Sequence, residues 1–119
     1  MGRSIFFDAQ TSAQGVELWK SCGTAGTTNL VKDINPGSSP SSPDWLTNVA
    51  GTLFFTAFDP ADEFELWSSG GTAAGTSLVE DIFPGNLSSF PRRLRNVAGT
   101  LFFSATDPTH GEELWTAHP

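Results

Sequence analysis

Short apolar runs separated by small and polar residues mark the chain from one end to the other. Ile5-Phe6-Phe7-Asp8-Ala9 is followed by a polar loop and then Val16-Glu17-Leu18-Trp19. The pattern returns as Leu53-Phe54-Phe55-Thr56-Ala57, a loop and Phe64-Glu65-Leu66-Trp67. It returns again as Leu101-Phe102-Phe103-Ser104-Ala105, a loop and Glu112-Glu113-Leu114-Trp115. Each run is rich in aromatic and aliphatic residues and bounded by Asp, Pro, Gly or Ser, which predicts short strands. Side chains alternate across a strand, so Glu and Trp of each Glu-Leu-Trp should share one face and Leu should take the other.

The connecting segments recur as well. Gly23-Thr24-Ala25-Gly26 is matched by Gly71-Thr72-Ala73-Ala74-Gly75, a tight small-residue turn. A further short strand is expected over 29–34 and over 77–82, stopped by Pro36-Gly37 and Pro84-Gly85. The Ser/Pro-rich stretch 38–43 has the composition of a flexible linker. Its counterpart 86–91, with Pro43 and Pro91 aligned, argues instead for a crossing between structural units. Leu46-Thr47-Asn48-Val49 and Leu94-Arg95-Asn96-Val97 form a last strand, which Ala50-Gly51 and Ala98-Gly99 turn back into the Phe-Phe strand as a hairpin.

Glu17, Glu65 and Glu113 are spaced by 48 residues, and a fixed period in this range is the mark of a repeat architecture. The units run approximately over 5–52, 53–100 and a partial 101–119. Gly and Pro interrupt too often for a helix, leaving four short strands per period. Four-stranded sheets repeating at about 40–50 residues are β-propeller blades. A β-helix would use shorter coils, and an immunoglobulin-like sandwich would not repeat. The expected fold class is therefore all-β, with blades of four antiparallel strands and about two and a half repeats in one fragment over 1–119.

Glu-Leu-Trp-x-Ser-x-Gly-Thr, Leu-Val-x-Asp-Ile-x-Pro-Gly and Asn-Val-x-Gly-Thr-Leu-Phe-Phe-x-Ala, read along 65–106, resemble the bacterial ELWxxDGT repeat family. The resemblance covers nearly the whole chain, from Ile5 to Trp115. It implies tandem repeats of large, mostly surface or secreted bacterial proteins, with no general catalytic activity. The layout is also similar to kelch-type propellers, which implies that 94–97 is an innermost strand and 78–82 an outermost one. The family's Asp before Gly-Thr is replaced by Cys22, Gly70 and His118 in the three units. Where present, that Asp caps the turn, so its loss argues against a metal or ligand role there.

Composition narrows the function classes. Among 119 residues, ten Phe and four Trp supply large side chains to bury. A net charge of −7 speaks against nucleic acid, which requires a basic footprint. No apolar run reaches the roughly 18 residues of a membrane span, and no signal-like segment follows Met1-Gly2-Arg3, so the compartment stays open. Cys22 is alone, which excludes an internal disulfide and a cysteine-pair metal site. No cofactor and no metal is expected.

Candidate binding residues are few. Trp19, Trp67 and Trp115 recur in every unit, as packing residues would. Trp45 aligns with Arg93, so no repeat rule demands it, and an unshared aromatic near a crossing is the better sugar platform. Arg92, Arg93 and Arg95 form a basic cluster, suited to a carboxylate or phosphate or to pairing with acidic neighbours such as Asp44. Asp59, Asp62, Glu63 and Glu65, and likewise Asp107, Glu112 and Glu113, crowd the loop before the Trp strand. They read as a solvated acidic loop, because no Asp-x-Asp-x-Asp-Gly calcium loop is present. The ligand-binding candidates are thus Trp45, Arg92, Arg93, Asp59 and Asp107. His110 and His118 sit in no zinc-like spacing, no nucleophile elbow or phosphate loop occurs, and no catalytic residue is assigned. Asn86-Leu87-Ser88 matches the glycosylation acceptor pattern.

On the kelch-like phasing the chain holds three strands, a full blade of four and three more. Two and a half blades cannot close a ring of the usual 4–8. Self-assembly follows as the expectation, with two or three identical chains closing a ring of about six blades, unless the stretch belongs to a longer array. The expected function is a non-enzymatic scaffold or interaction surface. The alternative is a lectin-like ring with carbohydrate sites between blades.

Overall fold

The computed structural model describes residues 4–80, 82–84 and 88–119. Among these residues, ten strands make three antiparallel sheets. The first contains β1 (Ile5–Thr11), β2 (Gly15–Ser21) and β3 (Asn29–Lys32) in that order. The middle sheet contains β4 (Asp44–Val49), β5 (Thr52–Asp59), β6 (Glu63–Ser69) and β7 (Thr76–Glu80), again in chain order. β8 (Arg92–Val97), β9 (Thr100–Asp107) and β10 (Gly111–Ala117) form the third. The chain is all-β: its only helical turn among the described residues is the 3-10 turn Ala25–Thr27. Asp81, within the strand expected over 77–82, lies outside the described residues. So do Gly85, Asn86 and Leu87, and with them most of the acceptor pattern.

The hairpins follow from local chemistry. Ala50-Gly51 and Ala98-Gly99 all have positive φ, the requirement of a type I′ turn. In each turn an Asn carboxamide holds the glycine N–H: Asn48 Oδ1 accepts from Gly51 and Asn96 Oδ1 from Gly99, both at 3.1 Å. Gly15 is required for a different reason. At φ +70° its Cβ position would lie 2.7 Å from the Ser38 carbonyl oxygen, inside the crossing segment.

Two interiors form where one sheet stacks on the next. Phe6, Leu18 and Val31 of the first sheet, with Ile34, meet Leu53, Phe55, Ala57 and Trp67 of the middle one. Forty-eight residues on, Phe54, Leu66 and Ile82 meet Leu101, Phe103, Ala105 and Trp115. Leu66 and Trp67 enter different interiors, as strand alternation requires. Lys20 Nζ donates to the Gly71 carbonyl at 2.6 Å and Lys32 Nζ to that of Thr76 at 3.1 Å, tying the first sheet to the middle one.

In each crossing segment one buried serine bonds to both flanking sheets. The Ser41 N–H donates to the Val16 carbonyl at 3.0 Å, and its own carbonyl accepts from Phe58 N at 2.8 Å. Its hydroxyl donates to Glu17 Oε1 at 2.6 Å. Ser89 repeats all three contacts, with Phe64 at 3.1 Å, Thr106 at 2.8 Å and Glu65 at 2.6 Å. Both serines and both glutamates are completely buried. The carboxylates also accept the N–H groups of Ile34 and Asn35, and of Ile82 and Phe83. This explains why β3 ends at Lys32 rather than at the expected residue 34: its next amides turn to Glu17 instead of to a ladder.

It also corrects the acidic-loop reading of Glu65, which is a buried anchor and not a solvated group. Burial is the largest influence on Glu17 and pushes its carboxyl above the ordinary value. Asp33 adds to the rise, whereas Ser41 and the Ile34 and Asn35 amides oppose it. A carboxyl raised on folding contributes its stability below the ordinary carboxylate value and loses it as pH rises through the folded-state value.

Glu113 stands at the equivalent position in β10 but is exposed. Glu65→Ala removes the acceptor of the buried Ile82 amide, the half-buried Phe83 amide and the buried Ser89 hydroxyl, and should cost about 3 kcal/mol. Glu113→Ala should change stability by no more than about 0.5 kcal/mol. Urea unfolding of the two variants checks the contrast.

Candidate functional site

The sequence candidates separate into two groups in space. Asp59 and Asp107 close the β5–β6 and β9–β10 hairpins. Asp59 Oδ1 accepts from Ala61 N at 3.1 Å and Asp62 N at 2.7 Å. Asp107 Oδ1 accepts from Thr109 N at 3.1 Å and His110 N at 2.6 Å. These are turn-capping duties, which the loops impose because the backbone amides at a tight bend need acceptors. No group of three or more acidic, His or Cys side chains disposed to hold a metal ion occurs among the described residues.

Asp107 also faces the His110 ring, with Oδ2 3.0 Å from Nδ1. The hydrogen bond holds Asp107 below the ordinary carboxylate value and lifts His110 above the ordinary imidazole value, with Glu113 adding a smaller push. The signs follow from linkage. The His110 contribution is complete below the ordinary histidine value and fades as pH rises through the folded-state one. The Asp107 contribution fades as pH falls through its lowered value.

Trp45 and Arg92 come together, whereas Arg93 takes its own course. A register shift between Asp44 and Thr47 makes a bulge in β4, and Trp45 sits on it at φ 57°. β8 carries the same irregularity between Arg92 and Arg95, with Arg93 at φ 58°. A bulge re-aims the side chain it carries. Here it leaves Trp45 39% exposed beside a groove of about 320 Å³. Asp44, Trp45, Thr56, Phe64, Phe90 and Arg92 line that groove. Phe64 stacks on Phe90 with ring centres 5.5 Å apart, and meets Phe58 edge-on at 5.4 Å.

The arginines pair differently from the expected Asp44 contact. Arg92 Nη2 lies 2.8 Å from Glu112 Oε2, and Arg93 Nη1 is 3.9 Å from the same oxygen. Arg92 holds the Glu112 carboxyl below the ordinary value. Asp44 instead accepts the Trp45 N–H through Oδ1 at 2.8 Å.

Sequence reasoning missed Phe64 and Phe90 because they come from β6 and the crossing segment, and meet Trp45 only in three dimensions. One signal was available: their equivalents one period earlier are Val16 and Ser42, so both aromatics depart from the repeat as Trp45 does. Trp67 is 6% exposed, which leaves it no open ring face and fits the packing reading of the recurrent tryptophans. The indole N–H groups of Trp19, Trp67 and Trp115 are buried without a hydrogen-bond partner, so packing outweighs polar satisfaction there.

The small-residue turns after β2 and β6 are held by hydroxyls. Ser69 Oγ accepts from Gly71 N at 3.0 Å, and Ser21 Oγ accepts from Gly23 N at 3.0 Å. Cys22 and His118 are exposed, and neither lines the groove beside Trp45.

No protein-family model, no curated protein and no solved structure matches this chain.

In an NMR titration, His110 should give a pKa above the ordinary histidine value, and Asp107→Asn should bring it down. An unchanged value in that variant would contradict the assigned contact.

Proposed function

We propose that this chain is a non-enzymatic β-propeller repeat module that associates with identical copies, serving as a scaffold or interaction surface. One observation carries the reading. Leu18 and Leu66 are 0% and 1% exposed under the next sheet, whereas Leu114, one period further on, is 71% exposed. At the other end Ile5 is 66% exposed, although its equivalents Leu53 and Leu101 are 4% and 0% exposed.

The two uncovered faces are thus the two halves of the contact already made twice within the chain. Phe102 and Leu114 stand where Phe54 and Leu66 stand, and Ile5, Phe7 and Trp19 stand where Leu53, Phe55 and Trp67 stand. Apolar faces of this kind favour association, and a head-to-tail contact closes a ring when its rotation divides the circle. Three sheets per chain support two chains and six blades over three chains contributing two each. His110 is engaged with Asp107 at an exposed hairpin and lies away from the aromatic groove, in keeping with a non-catalytic role. The resemblance to the ELWxxDGT repeats points the same way.

Light scattering at micromolar concentration tests the proposal. The expected mass is a whole multiple of the 12.7 kDa chain, with twice that mass for the six-bladed ring. Leu114→Glu or Ile5→Glu should return it to a single chain. A single-chain mass for the unaltered protein would overturn the reading, and assembly that survives both substitutions would overturn the assignment of the faces.

A further inference from the structure

The aromatic lining of the groove beside Trp45 is not repeated one period away. Its aromatic wall is Trp45, Phe64 and Phe90, where one period displaces them to Val16 and Ser42 on one side and to Arg93 on the other. Its charged rim is equally unshared: Asp44 and Arg92 are themselves equivalents of opposite sign, so the groove has an acceptor from one crossing and a donor from the next. We infer that this groove binds a neutral pyranose carbohydrate, its apolar ring face against the Trp45–Phe90 wall and its hydroxyls toward Asp44 and Arg92.

Three physical features select that class of ligand. First, a volume of about 320 Å³ is at the lower end of small-ligand sites, the size of one or two sugar rings. Second, Phe90 remains 54% exposed and Trp45 39% exposed, so broad aromatic surface faces the opening. Such surface suits the C–H face of a sugar ring, while a wholly apolar guest would displace water from the charged rim without offering it hydrogen bonds in return.

Third, the charge balance disfavours anions. Arg92 is already engaged by Glu112, Asp44 stands at the rim, and the chain carries a net charge of −7. A neutral polyol can accept from the remaining Arg92 N–H groups and donate to Asp44. Thr56 contributes shape rather than polarity, since its hydroxyl is spent on the Pro91 carbonyl at 2.7 Å. The groove is contained in one chain, so the inference stands apart from the self-association proposed above.

The test is titration of the intact chain with methyl glycosides of glucose, galactose, mannose and N-acetylglucosamine, read by NMR on the four indole N–H signals. At least one glycoside should shift the Trp45 signal saturably, with a dissociation constant of roughly 1 mM, while the three recurrent tryptophans move little. Trp45→Ala should weaken binding by roughly tenfold or more, read on neighbouring amides. Phe90→Ala, at a more exposed position, should weaken it in the same direction and guards against a folding defect in the first variant.

Sodium acetate and inorganic phosphate serve as anionic probes. Saturable binding of either at Trp45 with no glycoside response would overturn the neutral-sugar assignment. No response to any glycoside, or binding indifferent to both substitutions in folded variants, would overturn the site. Light scattering on the same samples reports assembly separately, so loss of one result does not decide the other.

Discussion

The contact on which the stacking depends most is a serine in each crossing, buried against a glutamate carboxyl group and bonded to both flanking sheets. Ser41 has its N–H on the first sheet, its carbonyl on the middle sheet and its hydroxyl on Glu17. Glu17 in turn collects the two amides that leave β3. A carboxylate taken out of water is tolerated only with such partners, because an unpaired buried charge costs several kcal/mol. The crossing therefore has no freedom to swing, although its Ser/Pro-rich composition resembles that of a linker. Ser89 and Glu65 impose the same geometry on the third sheet.

Stacking then follows from side-chain alternation. With the crossing fixed, Leu66 must face the third sheet and Trp67 the first, and each interior fills with the same residue types. Every such side chain contributes roughly 1.5–3 kcal/mol when removed from water. The same regularity gives the terminal faces the residue types that pack together inside the chain, which is the basis of the assembly proposed for it. The groove beside Trp45 arises where the sequence departs from the repeat, at Trp45, Phe64 and Phe90.

Much of this was legible in the residues. Strand number, hairpin turns and the 3-4-3 division follow from period, alternation and the Ala-Gly pairs, because all are local or repeating signals. The anchors were not read, since the acidic residues Asp59, Asp62, Glu63 and Glu65 look alike in one dimension. Only the recurrence of Glu17 with Ser41 and Glu65 with Ser89, both 24 residues apart, distinguished the interior one. The Arg92–Glu112 pair was missed for a related reason: β8 and β10 both flank β9, so partners two strands apart in sequence can meet across it. Trp45 departs from the repeat in sequence, whereas the aromatic neighbours that share its groove required the fold.

The claim that buried carboxylates clamp the crossings is tested most directly by amide hydrogen exchange at Ile34 and Asn35. Both lie in a bend outside every strand, so no ladder protects them. The account predicts protection close to that of Phe55 at the centre of the middle sheet, since opening them requires breaking the Glu17 anchor. Exchange at the rate of an open loop, with Phe55 still protected, would contradict it.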